Sequence, residues 1–421
     1  MEPQSITAKL AQLSVAQQEC TIYRVHSHLR NVNDKAYEPE IISIGPYHCG
    51  KENLKMFEEH KLRYLHLLLQ SKKKNVQDFI SIIGREEQKA RKCYAEPISL
   101  NATEFTEMMV LDGIFIIELV RKYNGVILRE KNDPIFHMYW IMNSLQRDLM
   151  LFENQIPFFI LLKLFDLVEV PGQHNKLMTL FSCFFGNLYP AKVNRKRSKR
   201  RPESPDKIKH LLDLVHCDWF PSFEDTKDVT ERSWRSINSA TGLIKANVKF
   251  KRNEGVTTLF DVGFEKGTML LARITITDKT ESVLRNLIVF EQYFQDTRSS
   301  FVTDYVTFLD YLINSSRDVE ILSRFEIIDN WLGDDEVVAN LFNKLGDSVT
   351  FRSSRFIYNV IFEDVDIHCR RRRNRWMAKL RSNYLNSPWA IVSVIVAFII
   401  VILTIIQTVS SILQVVKCLH I

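Results

Sequence analysis

The sequence predicts a mainly α-helical protein: one large helical domain in two lobes, a small β-sheet in the second lobe, and one C-terminal transmembrane helix. Three observations carry this. Long stretches place apolar residues at helical spacing, one stretch alternates and is rich in β-branched residues, and one late run is apolar on every face.

Residues 1–19 read as a flexible N-terminus without the charged-then-apolar pattern of a secretory signal. The first lobe covers 20–190. Within it, "PEIISIGPYH" (Pro39 to His48) is expected to form a strand. "NATEFTEMMVLDGIFIIELVRKYNG" reads as a central helix. Asn101 is its N-cap, Glu104 three residues on completes a capping box, and Gly125 stops it. Its middle is apolar almost all round, which predicts burial. "RDLMLFENQIPFFILLKLF" is a second helical stretch in which Pro157 marks a kink or a boundary.

A basic linker, 191–207, divides the lobes. Its "KVNRKRSKRR" carries seven cations between Lys192 and Arg201. It reads as a solvated loop, with a nuclear-import signal or lipid contact as the alternative. In the second lobe, 208–369, "NVKFKRNEGVTTLFDVGFEKGTMLLARITITD" predicts two or three short strands, turning at Gly263 to Gly267. "WLGDDEVVANLFNKLGDSV" opens a helix with Asp334, Asp335 and Glu336 in the first turn, where acids suit the helix dipole. Val337, Val338, Leu341, Phe342 and Leu345 form its apolar face, and Gly346 ends it.

The anchor follows. A juxtamembrane segment, 370–388, carries Arg370, Arg371, Arg372, Arg373, Arg375, Lys379 and Arg381 and no acid. The transmembrane helix is placed at 389–411, with a short tail at 412–421. Trp389 to Ile406 contains no charge, and a helix of that length reaches about 27 Å against a hydrocarbon layer of about 30 Å. Cations crowd one flank and only Lys417 lies on the other, so the body is expected in the cytoplasm and the chain reads as tail-anchored, at the plasma membrane. Trp376, Tyr384 and Trp389 suit the aromatic belt at that interface. The seven cations are the expected membrane-surface contact, with the lipid bilayer as one partner and another protein as a second.

Formal net charge is +6, and the two basic clusters account for more than all of it. The remainder is mildly acidic, which argues against a nucleic-acid-binding face. Seven widely spaced cysteines without a Cys-x-x-Cys pair suit a reducing compartment.

Candidate chemistry is sparse. Asp112 lies in the apolar helix with Glu118 six residues on. It reads as half of a structural ion pair with an arginine such as Arg147 or Arg285, the alternative being an acid or base with a shifted pKa. His48, Cys49, His60 and His66 cluster in sequence but lack a metal-ligand spacing. No phosphate loop, His-Glu-x-x-His or Gly-x-Ser-x-Gly motif is present, and no cofactor, metal or catalytic residue is expected. An internal echo links "RDLMLFENQ" (Arg147 to Gln155) to "RNLIVFEQY" (Arg285 to Tyr293), and "VLDGIFI" to "FLDYLIN". The echoed arginine and glutamate are six apart, so their partners are expected on other helices.

The opening "CTIYRVHSHLRNVNDKAYEPEIISIGPYHCG" resembles that of the plant domain-of-unknown-function 247 proteins, also called uncharacterised family 0481. The resemblance continues in order through "EEHKLRYL", "FTEMMVLDGIFIIELVR", "RDLMLFENQIPFF", "SATGLIKANVKFK", "RNLIVFEQY", "IIDNWLGDDEVVANLFN" and "NSPWAIVS". His26 stands where the family usually has proline, Cys49 where a second histidine is frequent, and Ile114 where cysteine is. The resemblance implies no catalytic residues, because the family has no established activity. It implies a recognition role, because some grass members are implicated as pollen determinants of self-incompatibility. The functional expectation is a membrane-anchored recognition or signalling component, with a membrane-tethered enzyme using buried carboxylates as the alternative.

Overall fold

The computed structural model describes residues 20–191, 204–219, 236–255, 258–294, 300–350, 353–371 and 388–419. It is mainly helical. The first half holds α1 (Met56–Lys72), α2 (Val76–Gly84), α3 (Ala102–Tyr123), α4 (Tyr139–Asp148), α5 (Phe158–Val168) and α6 (His174–Phe184). The second holds α7 (Leu211–Trp219), four short strands, α8 (Thr280–Tyr293), α9 (Phe301–Leu312), α10 (Ser316–Arg324), a fifth strand, α11 (Asp335–Leu345) and α12 (Asn359–Arg370). The late apolar helix is α13 (Pro388–Leu419).

α3 is the hub of the first half, packed by α1, α2, α5 and α6. Its capping box forms as its residues predict: Asn101 accepts from the Glu104 amide, and the Glu104 carboxylate accepts from the Asn101 amide. Gly125 lies just beyond the helix in the left-handed region, at φ +69°. Gly113 lets α5 approach closely, since a Cβ there would sit 2.3 Å from Leu164 Cδ1. The buried apolar side chains form one cluster running from Ile22 to Val365, so the two halves share a core.

Pro157 is a boundary. α4 ends at Asp148, residues 149–157 run through turns, and α5 starts immediately after the proline. α11 spans Asp335–Leu345 with Asp334 as its N-cap, but Val337 is 48 % exposed and does not join the buried face. Helical periodicity assigned it there because it neighbours Val338, and the packed face turns only through 338, 341, 342 and 345.

The alternating stretch yields β1 (Lys249–Arg252), β2 (Gly263–Glu265), β3 (Thr268–Leu271) and β4 (Ile274–Ile276). β1 runs parallel to β3 and β2 antiparallel to it, in the order β1-β3-β2. Lys266 and Gly267 link β2 to β3 as a two-residue turn, both with positive φ, which is the hairpin geometry that matches strand twist. β4 pairs in parallel with β5 (Ile328–Asn330), making a second small sheet.

Pro39 to His48 is not a strand. The segment from Val25 to Gly45 crosses both halves through a one-turn helix (Ser27–Arg30), a 3-10 turn (Asp34–Ala36) and extended stretches, and side chains, not a ladder, hold much of its backbone. Asp148 accepts from the amides of Glu40, Ile41 and Ile42 at 2.8–3.1 Å. Asn154 accepts from the Ile44 amide and donates to the Ile42 carbonyl. Glu153 accepts from the Val25 amide at 2.7 Å. From the second half, Ser282 and Asn286 both donate to the Ala36 carbonyl. Buried backbone groups need such partners, and here the side chains supply them.

α13 has 32 residues, about 48 Å of helix. Ile395–Leu413 is long and apolar enough to cross a bilayer, and none of that window is buried against the rest of the protein. Thr404 and Thr408 donate their hydroxyls to carbonyls one turn back, leaving no free donor on those side chains.

Candidate functional site

α1, α2 and α3 enclose an open groove of about 610 Å3. Asp112, on α3, sits at its floor. Its partner is neither Arg147 nor Arg285 but Lys61, an α1 residue with Nζ 2.7 Å from Asp112 Oδ1. The arginines could not reach it: Arg147 is spent on the Lys35 and Glu38 carbonyls, and Arg285 on Glu281 and the Lys344 carbonyl. The other Asp112 oxygen accepts from the Gly45 amide at 2.8 Å. Gly45 has φ +72°, and a Cβ on it would lie 2.3 Å from the Gln155 carbonyl oxygen, so only glycine brings the chain this close. Lys61 gives its remaining donors to the Ser43 carbonyl and Glu58.

Both charged groups are buried, at 1 % and 2 % exposure. Burial pushes the Asp112 pKa up while Lys61 pulls against it. For Lys61, burial works against the ammonium, and Asp112 and Glu58 outweigh it, so its pKa stands above the usual value. The two groups sit at ion-pair distance, with Asp112 Oδ2 bonded to the Gly45 amide and the Lys61 ammonium bonded to Ser43 and Glu58.

The other buried carboxylates among the described residues are likewise engaged. Glu118 pairs with Arg121, which also reaches Glu169. Asp133 accepts from Tyr64 and Lys122. Glu291 takes His216 at 2.9 Å and the amides of Val302 and Thr303. Asp304 accepts from the Ile357 amide, and burial pushes its pKa up to about 8, so it is protonated at neutral pH.

The four sequence-neighbouring metal candidates do not converge. His48 is fully buried between two carboxylates, its nitrogens 3.7 Å from Glu38 and 3.5 Å from Glu153, and burial lowers its pKa to about 4. Cys49 is exposed beside the groove. His60 stacks on Phe57, and His66 meets Gln70 on the outer face of α1. No group of three or more potential metal ligands occurs among the described residues.

The internal echo has a structural counterpart at one of its two blocks. Asp148 and Asn286 occupy matching positions, both clamp the Val25–Gly45 segment, and Asn286 also accepts from the Phe152 amide. Glu153 and Glu291 match as well, and both bind backbone amides outside their own helix or turn. Arg285 departs from the expectation because its carboxylate partner, Glu281, is on its own helix. The other block diverges: Asp310, the counterpart of Asp112, has no lysine partner among the described residues, and burial with Asp347 nearby raises its pKa to about 6.

Of the juxtamembrane cations, Arg370 pairs with Asp366 at 2.7 Å in the last turn of α12, and Arg371 follows as its C-cap. Arg372, Arg373, Arg375, Lys379 and Arg381 lie outside the described residues, as does the Lys192–Arg201 cluster. α12 rests on the β2–β3 hairpin, where Gly267 faces the His368 ring so closely that a Cβ would be 2.5 Å from it.

The profile of the domain-of-unknown-function 247 family, described as plant proteins of unknown function, matches residues 22–403. The chain is 29 % identical to the UPF0481 protein At3g47200 of Arabidopsis thaliana, over 95 % of this chain and 88 % of that protein. It is 23 % identical to the putative UPF0481 protein At3g02645 of the same plant, over 96 % and 93 % respectively. No solved structure matches. With the match running from the Val25–Gly45 segment through the helical halves and into α13, the chain belongs to the domain-of-unknown-function 247 family of plant proteins.

Proposed function

We propose that this protein is a single-pass, membrane-anchored recognition or signalling component, with its body on the cytoplasmic face of the plasma membrane. The observation that carries the reading is the Asp112–Lys61 pair. This buried acid lines an open groove, and both of its oxygens and the ammonium face groups of the fold. A general acid or base needs an uncommitted proton site within reach of a substrate. An apolar groove above a satisfied ion pair suits binding.

The α13 helix supplies the anchor, and the seven cations before it favour the cytoplasmic side, where each adds about 1 kcal/mol of attraction to anionic lipid. The partner is a protein met at that surface, in keeping with the recognition role that the family resemblance implies.

The test fuses a biotin ligase to the N-terminus of the full chain and of a chain ending at Pro388, both expressed in the native tissue. The full chain is expected to resist carbonate extraction and to label a reproducible set of neighbours. The shortened chain is expected in the soluble fraction, with that set lost. Carbonate resistance of the shortened chain, or an unchanged neighbour set, contradicts the proposal.

A further inference from the structure

We infer that the groove between α1, α2 and α3 binds a small apolar molecule carrying a cationic end, with the cation seated at Glu107. The inference deepens the recognition reading and rests on it in treating the groove as a binding surface.

Size comes first. A cavity of about 610 Å3 lies within the range, roughly 300–1,000 Å3, that encloses drug-sized ligands. Its walls are apolar side chains from three helices, chiefly Leu62 of α1, Ile80 of α2, and Met108 and Leu111 of α3. Leu62 is 56 % exposed, an apolar surface that a ligand would cover.

Charge selects among apolar ligands. The carboxylates of Glu58, Glu104, Glu107 and Asp112 all line the groove, against one cation, Lys61. That lysine is buried, donates to Ser43 and Glu58 and is paired with Asp112, so it cannot receive a ligand anion. Glu58 is tied to Lys61, and Glu104 closes the α3 capping box. Glu107 is exposed and has no partner among the described residues. An anionic ligand would therefore meet carboxylates with no available counter-charge, whereas an ammonium would meet a free one.

Cys49 makes the proposal measurable, because it is a free, exposed thiol lining the groove. The probes are 4-phenylbutylamine and 4-phenylbutyrate, which share an apolar body and carry opposite charges. The full chain in native membranes is alkylated with N-ethylmaleimide, and the rate at Cys49 is read by peptide mass spectrometry. Cys183, also free and exposed, is the internal reference.

The amine is expected to slow alkylation of Cys49 relative to Cys183 at concentrations where the carboxylate does not. E107Q should cut the amine's advantage by up to about fivefold, the most an exposed pair supplies. L62Q should weaken both probes alike. Equal protection by the two probes, equal slowing of Cys183, or no protection of Cys49 overturns the inference. No protection alongside an intact, membrane-dependent neighbour set would sink this inference and leave the proposed function standing. Protection without any such neighbours would do the reverse.

Discussion

Asp112→Asn is expected to destabilise the body by about 3–5 kcal/mol, the cost of removing one partner from a buried ion pair. Asparagine is nearly isosteric and its oxygen can still accept from the Gly45 amide, but its NH2 then faces the Lys61 ammonium, so the change removes both the charge and the acceptor beside Lys61. It leaves the Lys61 ammonium buried with only Ser43 and Glu58 to compensate it. Adding Lys61→Met should recover at least half of the loss, because no unpaired charge then remains beneath the groove. Thermal unfolding of the single and double variants tests this. A single variant with unchanged thermal stability that loses a measurable activity would instead identify Asp112 as a reacting group.

Asp148→Ala should have an effect of similar size, about 4 kcal/mol, through a different mechanism. One carboxylate serves three consecutive amides and the Arg147 guanidinium. Its removal orphans donors that are buried or half-buried, at roughly 1–3 kcal/mol each, with the outermost, Glu40, recovering water. Because those amides belong to the segment crossing both halves, the loss should appear first as faster proteolysis between Val25 and Gly45. Asp148→Asn retains one accepting oxygen and should lose less. Equal protease resistance in wild type and Asp148→Ala would show that the carboxylate does not hold the segment.

How far these features can be read from sequence depends on whether their cause is local. The α3 capping box and the β2–β3 turn lie within a few residues of their own chemistry; the box forms as its residues predict, and the turn falls at Lys266–Gly267, the end of the stretch expected to turn, with Gly263–Glu265 in strand β2. The Pro157 boundary is equally local. The Val25–Gly45 segment is not. "PEIISIGPYH" has the β-branched residues of a strand, but its amides are taken by Asp148 and Asn154, more than a hundred positions away. Lys61 is hidden for the same reason: within α1 it looks like one more surface lysine, and only the packing of α1 on α3 reveals its partner. One signal for the clamp was present in the repeated Arg-Asp/Asn-x-x-x-x-Glu pattern. Polar residues spaced through an apolar stretch imply distant backbone partners even when those partners cannot be named.

The claim that the body faces the cytoplasm is tested most directly by glycan mapping of the native protein at its two acceptor triplets, Asn101-Ala-Thr103 and Asn314-Ser-Ser316. Both asparagines are exposed, so burial would shield neither from modification. Asn101 uses its oxygen to cap α3, leaving the nitrogen to which a sugar attaches free of that contact. As a control, the same body directed into the secretory pathway by an added signal sequence should be modified at both positions. The native protein is predicted to carry no glycan at either one. A glycan on Asn101 or Asn314 in the native protein would place the body across the membrane and contradict the account.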